Sequence, residues 1–225
     1  MENNENLEQE LLPMHDMAAC IVSGGEAMRK RVENAMSFYA PSDGYFLPLL
    51  AKSGKAFERS ASGFLLLDGL LQKNRINRAE LTLTRRENGR PCFEGRDTLD
   101  FSISHSGSCA ICALAMGAGA SVGADVQREK RYDEEKLLEL AGAFMGGEDL
   151  ELFRAAQDKT RAFCTAWTRL ESFLKRNGKS VFTDLRQVNL HGEGFSDGVI
   201  IIDGIRYFYS INTARRGEAP VGGEE

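Results

Sequence analysis

The stretch from Asp158 to Asn177 constrains the fold most, because it demands a core on one side and offers charge beside it. Ala162, Phe163, Ala166, Leu170, Phe173 and Leu174 recur at helical spacing and form a broad apolar stripe. A helix carrying that stripe must dock. Trp167, Glu171 and Lys175 stand four residues apart, so they stack on one helical face and put an acid next to a base. Taken alone, such a pair is a surface contact contributing a few tenths of a kcal/mol to the helix.

The surrounding patterns predict alternating helices and short strands. By composition, residues 1–13 are disordered. Met14 to Val22 reads as a strand, Glu26 to Tyr39 as a helix, and Pro41-Ser42-Asp43-Gly44 as a turn. Lys55 to Lys73 repeats apolar residues at helical steps, interrupted by Gly63 and Gly69, which point to close backbone packing. Glu80 to Thr84 is a short strand, and Glu87 to Pro91 a turn. Leu99, Phe101 and Ile103 alternate with Asp100, Ser102 and Ser104 as in a half-buried strand. His105-Ser106-Gly107-Ser108 turns it into a second strand, Cys109 to Met116. Gly117-Ala118-Gly119 then leads to a third, Ser121 to Gln127, making an antiparallel meander. Helices follow at 134–144 and 148–156, then the helix from Asp158, then strands near 187–190, 199–202 and 207–212.

The fold class is therefore α+β. An internal echo refines it: K-A-F at Lys55 and R-A-F at Arg161 each open a long helix that leads to strands and a glycine-containing turn. The chain reads as a pseudo-two-fold pair of related α+β halves, each with a small antiparallel sheet and a long packed helix. The halves are residues 1–118 and 119–213, followed by a mobile tail, 214–225.

Composition excludes several function classes. Of 225 residues, 42% are hydrophobic, enough for a substantial core. The five cysteines are an odd number without framework spacing, which points to a reducing compartment. Cys109 and Cys112 form a C-x-x-C with no second pair or nearby histidines, so they read as small buried hydrophobes rather than a metal or redox site. The N-terminal segment is acidic where a signal peptide would be basic and apolar, which argues for a cytoplasmic protein. The charge-poor stretch from Cys109 to Ala124 is too short and glycine-broken to span a membrane. A net charge of −5 offers no global attraction to nucleic acid or an anionic membrane, so any basic site for an anion must be local.

Three local patterns carry chemistry. Gly123, Asp125 and Gln127 project to one side of their strand, the glycine keeping one flank open. With Glu171 they would give Mg²⁺ three oxygen donors, a set completed by waters and substrate phosphates. The rival reading makes Asp125 a strand-end residue in a solvated turn. His105, between Ser104 and Ser106, lacks an orienting acid for nucleophilic catalysis. It suits a polar turn that offers donors to a phosphate, or a turn histidine with no role. Arg90 is equally divided between phosphate contact and solvated charge.

F-S-I-S-H-S-G at 101–107, V-G-A-D-V-Q at 122–127 and W-T-R-L-E-S-F-L-K at 167–175 together resemble the three ordered motifs of 4′-phosphopantetheinyl transferases of the surfactin-synthetase-activating type. N-G-R-P at 88–91 resembles the motif that precedes them. The resemblance spans about Arg59 to Asn212. It implies a pseudo-two-fold monomer that encloses coenzyme A and transfers phosphopantetheine to a serine of an acyl or peptidyl carrier protein, releasing 3′,5′-ADP. It further implies that Asp125 and Glu171, with Gln127 at the third position, bind Mg²⁺. Glu171 would also help take the serine proton, and Lys175 would stabilise the pyrophosphate and protonate the leaving group. Arg59, Arg90, Pro91, Ser104 and His105 would hold the nucleotide and its phosphates.

The chain departs from the pattern at two places. Many relatives carry an acid where Gln127 stands and a lysine where Leu170 stands. Arg169 lies about 100° around the helix from that second position and cannot replace it. The basic residues usual upstream of Arg59 are displaced, with Lys52 and Lys55 nearest. A coenzyme A or carrier-protein binding module with weakened transfer is the alternative these departures raise.

Overall fold

The computed structural model describes residues 14–22, 26–41, 43–178, 185–192 and 194–215. The elements run β1 (Met14–Ile21), α1 (Glu26–Met36), α2 (Asp43–Leu50), α3 (Gly54–Lys73), β2 (Leu83–Arg85), β3 (Pro91–Phe93), β4 (Leu99–Ser106) and β5 (Cys109–Met116). They continue with β6 (Ala120–Arg128), α4 (Glu134–Phe144), α5 (Gly147–Ala155), α6 (Lys159–Asn177), β7 (Phe195–Ile202) and β8 (Ile205–Arg215). Strands β1-β5-β4 form one antiparallel sheet and β6-β8-β7 another, with β2-β3 a separate hairpin. In both three-stranded sheets the first strand in sequence pairs with the last, and the middle one takes the far edge. Three helices separate the first strand from the second in each, so the two sheets share one topology. No helix among the described residues is long and apolar enough to cross a membrane.

Several expectations are corrected. The three-strand meander does not form: β6 leaves β5 and finds its ladder on β8, from Ala120 opposite Arg215 to Arg128 opposite Tyr207. That ladder also holds Ala214 and Arg215, which the sequence assigns to a mobile tail. The predicted tail beyond them, residues 216–225, and the predicted disorder of residues 1–13 lie outside the described residues. Asp43 and Gly44, expected in a turn with Pro41 and Ser42, instead open α2, and Pro48 sits inside that helix. The strand expected at 80–84 splits into a 3-10 turn, Arg78–Glu80, and β2. No strand forms at 187–190. A 3-10 turn, Leu185–Gln187, precedes Val188 and Leu190, whose apolar alternation serves packing against α4 to α6.

Packing follows the two long helices. Phe57, Ala61, Phe64, Leu67 and Leu71 of α3 bury against Phe101, Cys112 and Leu114 of the first sheet. Of its two glycines only Gly63 marks a close approach: a Cβ there would lie 2.5 Å from Ile103 Cγ2, whereas Gly69 faces open space. Leu170, Phe173 and Leu174 of α6 bury with Leu137, Phe144 and Phe153, as the apolar stripe requires. Cys109 and Cys112 enter different core clusters, on opposite sides of β5, and all five cysteines are free.

The two sheets meet through side chains rather than a backbone ladder. Asp100 Oδ2 accepts from Val122 N at 3.0 Å, Ser102 Oγ from Ala124 N at 2.9 Å, Ser104 Oγ from Val126 N at 3.3 Å and Ser106 Oγ from Arg128 N at 2.9 Å. Every second residue of β4 thus satisfies every second N–H of β6. This changes the reading of β4, since Asp100, Ser102 and Ser104 are 2%, 5% and 6% exposed and belong to a buried seam. Ser102→Ala leaves the Ala124 N–H buried without its acceptor. The expected loss is about 1–3 kcal/mol, read as a lower urea midpoint at unchanged slope.

Candidate functional site

The site is built where α6 lies directly on β6. Cys164, Thr168 and Ser172 are buried at four-residue steps along α6, and Ser172 Oγ approaches Ser210 Oγ of β8 at 3.5 Å. At Gly123 the two backbones come together: an added Cβ would lie 1.8 Å from Ser172 O and 2.6 Å from Arg176 N. The flank expected to be open beside Asp125 is therefore filled by the helix itself. This contact seats the last turns of α6 over the β6 residues that follow Gly123.

Lys175 Nζ donates to Asp125 Oδ1 at 2.6 Å, to Ser104 Oγ at 3.0 Å and to Ala124 O at 3.2 Å. Ser104 Oγ donates to the same Asp125 oxygen at 2.8 Å. The local Glu171–Lys175 pair is thus replaced by a cross-element pair. A buried carboxylate backed by a hydroxyl and a carbonyl offers the ammonium three acceptors, where one neighbouring carboxylate on the helix offers a weak contact. Glu171 lines the same cleft of about 400 Å³, with Trp167, Gln127, His105 and Asp125. Burial, followed by the Asp125 charge, raises the Glu171 carboxyl above the ordinary carboxylate range, and Lys175 opposes the shift. Gln127 Nε2 donates to Arg128 O at 2.9 Å, and the hydrogen-bond-accepting capacity at its head is left to the side-chain carbonyl oxygen.

A second cavity of about 500 Å³ adjoins the first, sharing Ile103, His105 and Lys175 with it. Its cations are Lys52, Arg59, Arg85, Arg90 and Lys175, so the local basic site required in a net-acidic chain exists. Pro91 and Ser60 also line it, the latter accepting from Lys52 Nζ at 2.7 Å. Burial and the nearby Arg85 charge lower the Lys52 pKa. His105 is placed in β4 opposite Ala110, not in the turn, which is confined to Gly107 and Ser108. Partial desolvation, then the cations Arg59, Lys175 and Lys52, hold its imidazole below the usual histidine range.

Arg90 lines this cavity, but its terminal nitrogens donate inward. They reach Lys175 O at 2.6 Å, Arg176 O at 3.3 Å, Asp100 Oδ2 at 2.8 Å, Phe101 O at 2.9 Å and Val122 O at 2.7 Å. Rather than a solvated charge, the guanidinium is a tie joining β4, β6 and the C-terminal end of α6. Leu170 is fully buried in the core beside α4 and packs there as an apolar residue. Arg169 indeed does not substitute, pairing instead with Asp197 through Nε at 2.7 Å and with Leu190 O at 2.6 Å. Tyr45 and Leu49 of α2 also line the basic cavity, where the turn signals at Pro41 to Gly44 hide the helix in the sequence, and Arg85 joins them from the end of β2.

No group of three or more His, Cys, Asp or Glu side chains arranged to hold a metal occurs among the described residues. The cleft supplies a smaller set, Asp125 and Glu171 with the amide oxygen of Gln127. The charge coupling between the two carboxylates suits a hard dication that takes few protein ligands and completes its shell with water or phosphate.

The model of the family described as the 4′-phosphopantetheinyl transferase superfamily matches residues 121–214, a span that carries Asp125, Glu171 and Lys175. Among curated proteins the chain is similar to the 4′-phosphopantetheinyl transferase Sfp of Bacillus subtilis (strain 168), 28% identical over 141 residues that cover 60% of each chain. The 4′-phosphopantetheinyl transferase ffp of Bacillus subtilis is 27% identical over the same length and coverage. The 4′-phosphopantetheinyl transferase AcpT of Salmonella typhimurium is 32% identical over 97 residues, 43% of this chain and 49% of the relative. The chain thus spans about 60% of the length of the first two relatives. The matched span contains the second and third of the three motifs, 122–127 and 167–175, and with them Asp125, Gln127, Trp167, Glu171 and Lys175 of the cleft.

Proposed function

We propose that the chain transfers the 4′-phosphopantetheine group of coenzyme A to a serine hydroxyl of an acyl or peptidyl carrier protein, releasing 3′,5′-ADP. The observation that carries this reading is the joining of two cavities at Lys175 and His105. One is basic and large enough for a nucleotide; the other holds Asp125, Glu171 and Gln127. Arg59, Lys52 and His105 hold the coenzyme's phosphates, with Pro91 and Ser104 lining the approach. Arg90 acts by fixing the walls. The serine oxygen attacks the phosphorus that carries the pantetheine arm, and the bond from that phosphorus to the bridging oxygen breaks. Glu171, made more basic by burial and by Asp125, accepts the serine proton. Lys175 neutralises the departing phosphate and supplies it with a proton.

Mg²⁺ fits the donor set of Asp125, Glu171 and Gln127, and when bound it neutralises charge on the diphosphate oxygens. Gln127→Glu adds a third negative ligand and is expected to tighten metal binding about tenfold, measured as the Mg²⁺ concentration giving half-maximal rate. The division into halves at 118/119 agrees with the shared sheet topology. We read the protein as a monomer of a reducing compartment, the cytoplasm, where its five free cysteines stay as thiols.

The test is product release. The chain is mixed with apo carrier proteins, coenzyme A and Mg²⁺, and 3′,5′-ADP is followed by chromatography. The reading expects ADP only when carrier and coenzyme are both present. ADP release without carrier would turn it into a hydrolase. Coenzyme binding with no ADP under any condition would favour the binding-module alternative.

A further inference from the structure

We propose that Lys175 holds the place of the metal at Asp125, and that a divalent cation gains full access only when the coenzyme's diphosphate draws the ammonium away. The inference rests on the transferase reading in taking the dication and the diphosphate as the ligands of this cleft. Lys175 Nζ lies 2.6 Å from Asp125 Oδ1, and its other contacts, Ser104 Oγ at 3.0 Å and Ala124 O at 3.2 Å, account for all three ammonium donors. Asp125 is 6% exposed, so water screens that pair weakly. A dication on this carboxylate must share it with a positive charge in direct contact with one oxygen as long as Lys175 stays there. Glu171 and the neutral Gln127 are then the remaining donors, a poor set on their own.

The same geometry supplies the release. Lys175 lines both cavities, so its head needs only side-chain rotation to leave Asp125 for an anion in the basic cavity. Its backbone stays put: Gly123 seats α6 on β6, and Arg90 holds the Lys175 carbonyl at 2.6 Å. Coenzyme and metal therefore tighten each other's binding by an equal factor, as linkage demands. A contact that resembles a structural ion pair becomes a device that keeps the metal position closed until the second ligand arrives.

The experiment measures Mn²⁺ binding by the loss of free-ion paramagnetic resonance, with and without coenzyme A, for the wild type and for Lys175→Met and Lys175→Arg. Without coenzyme, the wild type and Lys175→Arg are expected to bind weakly and Lys175→Met about tenfold or more tightly than either. Coenzyme is expected to tighten Mn²⁺ on the wild type by a similar factor, and by less on Lys175→Met. Should Lys175→Met not fold, Lys175→Gln removes the charge instead. The inference is overturned if the neutral variant binds Mn²⁺ no better than wild type, or if the arginine variant binds as tightly as the neutral one. Either result alongside wild-type ADP release sinks only this inference, whereas a wild type that binds no Mn²⁺ even with coenzyme sinks the metal reading too.

Discussion

Replacing Gly123 by alanine is expected to destabilise the protein by roughly 3 kcal/mol or more and to lower transfer at least tenfold in whatever fraction stays folded. The added Cβ would sit 1.8 Å from Ser172 O and 2.9 Å from Ser172 C, both backbone atoms that no rotamer change can move. The helix must lift or slide, and Lys175 and Glu171 ride on it while Asp125 remains on β6. A shift near 1 Å separates groups that now lie 2.6 Å apart. Gly69→Ala is the control: nothing lies within 4 Å, and on the exposed side of α3 alanine is expected to stabilise by up to about 1 kcal/mol. The two urea midpoints should move in opposite directions. Equal midpoints for Gly123→Ala and wild type would mean that α6 is not seated as described.

Glu171→Gln has the largest expected effect on chemistry. The amide keeps the shape but accepts no proton, so the turnover rate is expected to fall about 100-fold or more. Stability should hold or rise slightly. The folded-state pKa of Glu171 is raised, so its ionised form opposes folding; stability from this group is greatest at low pH and is lost as pH climbs through the folded value. A neutral amide removes that loss at neutral pH. The wild-type rate should show an acid limb above the ordinary carboxylate value, and the variant's residual rate should lack it. An unchanged turnover rate, or an acid limb that persists in the variant, would remove Glu171 as the base.

What the sequence displayed and what it hid divide along a physical line. The stripe on α6 was legible because burial of one helical face leaves a period in the residues themselves. The line of Cys164, Thr168 and Ser172 was not, since small polar residues signal a close approach only once Gly123 is seen opposite them. The alternation in β4 revealed a strand and concealed its surroundings. A serine facing water and a serine accepting from a neighbouring strand's N–H have the same pattern. The Lys175 partner was misplaced for a related reason: rules of helical spacing know Glu171, whereas Asp125 reaches the ammonium from 50 residues away. Arg90 stands out in its turn but not as a tie, because the acceptors it reaches come from β4, β6 and α6, elements far apart in sequence.

The central claim is that the two joined cavities form one transfer site. Its most direct measurement is the intact mass of an apo carrier protein after incubation with the chain, coenzyme A and Mg²⁺. The account predicts a gain of about 340 Da on the carrier, the mass of one phosphopantetheine group, and none when the accepting serine is replaced by alanine. A panel of folded carriers that gain no mass, while a working transferase modifies each of them, would contradict it.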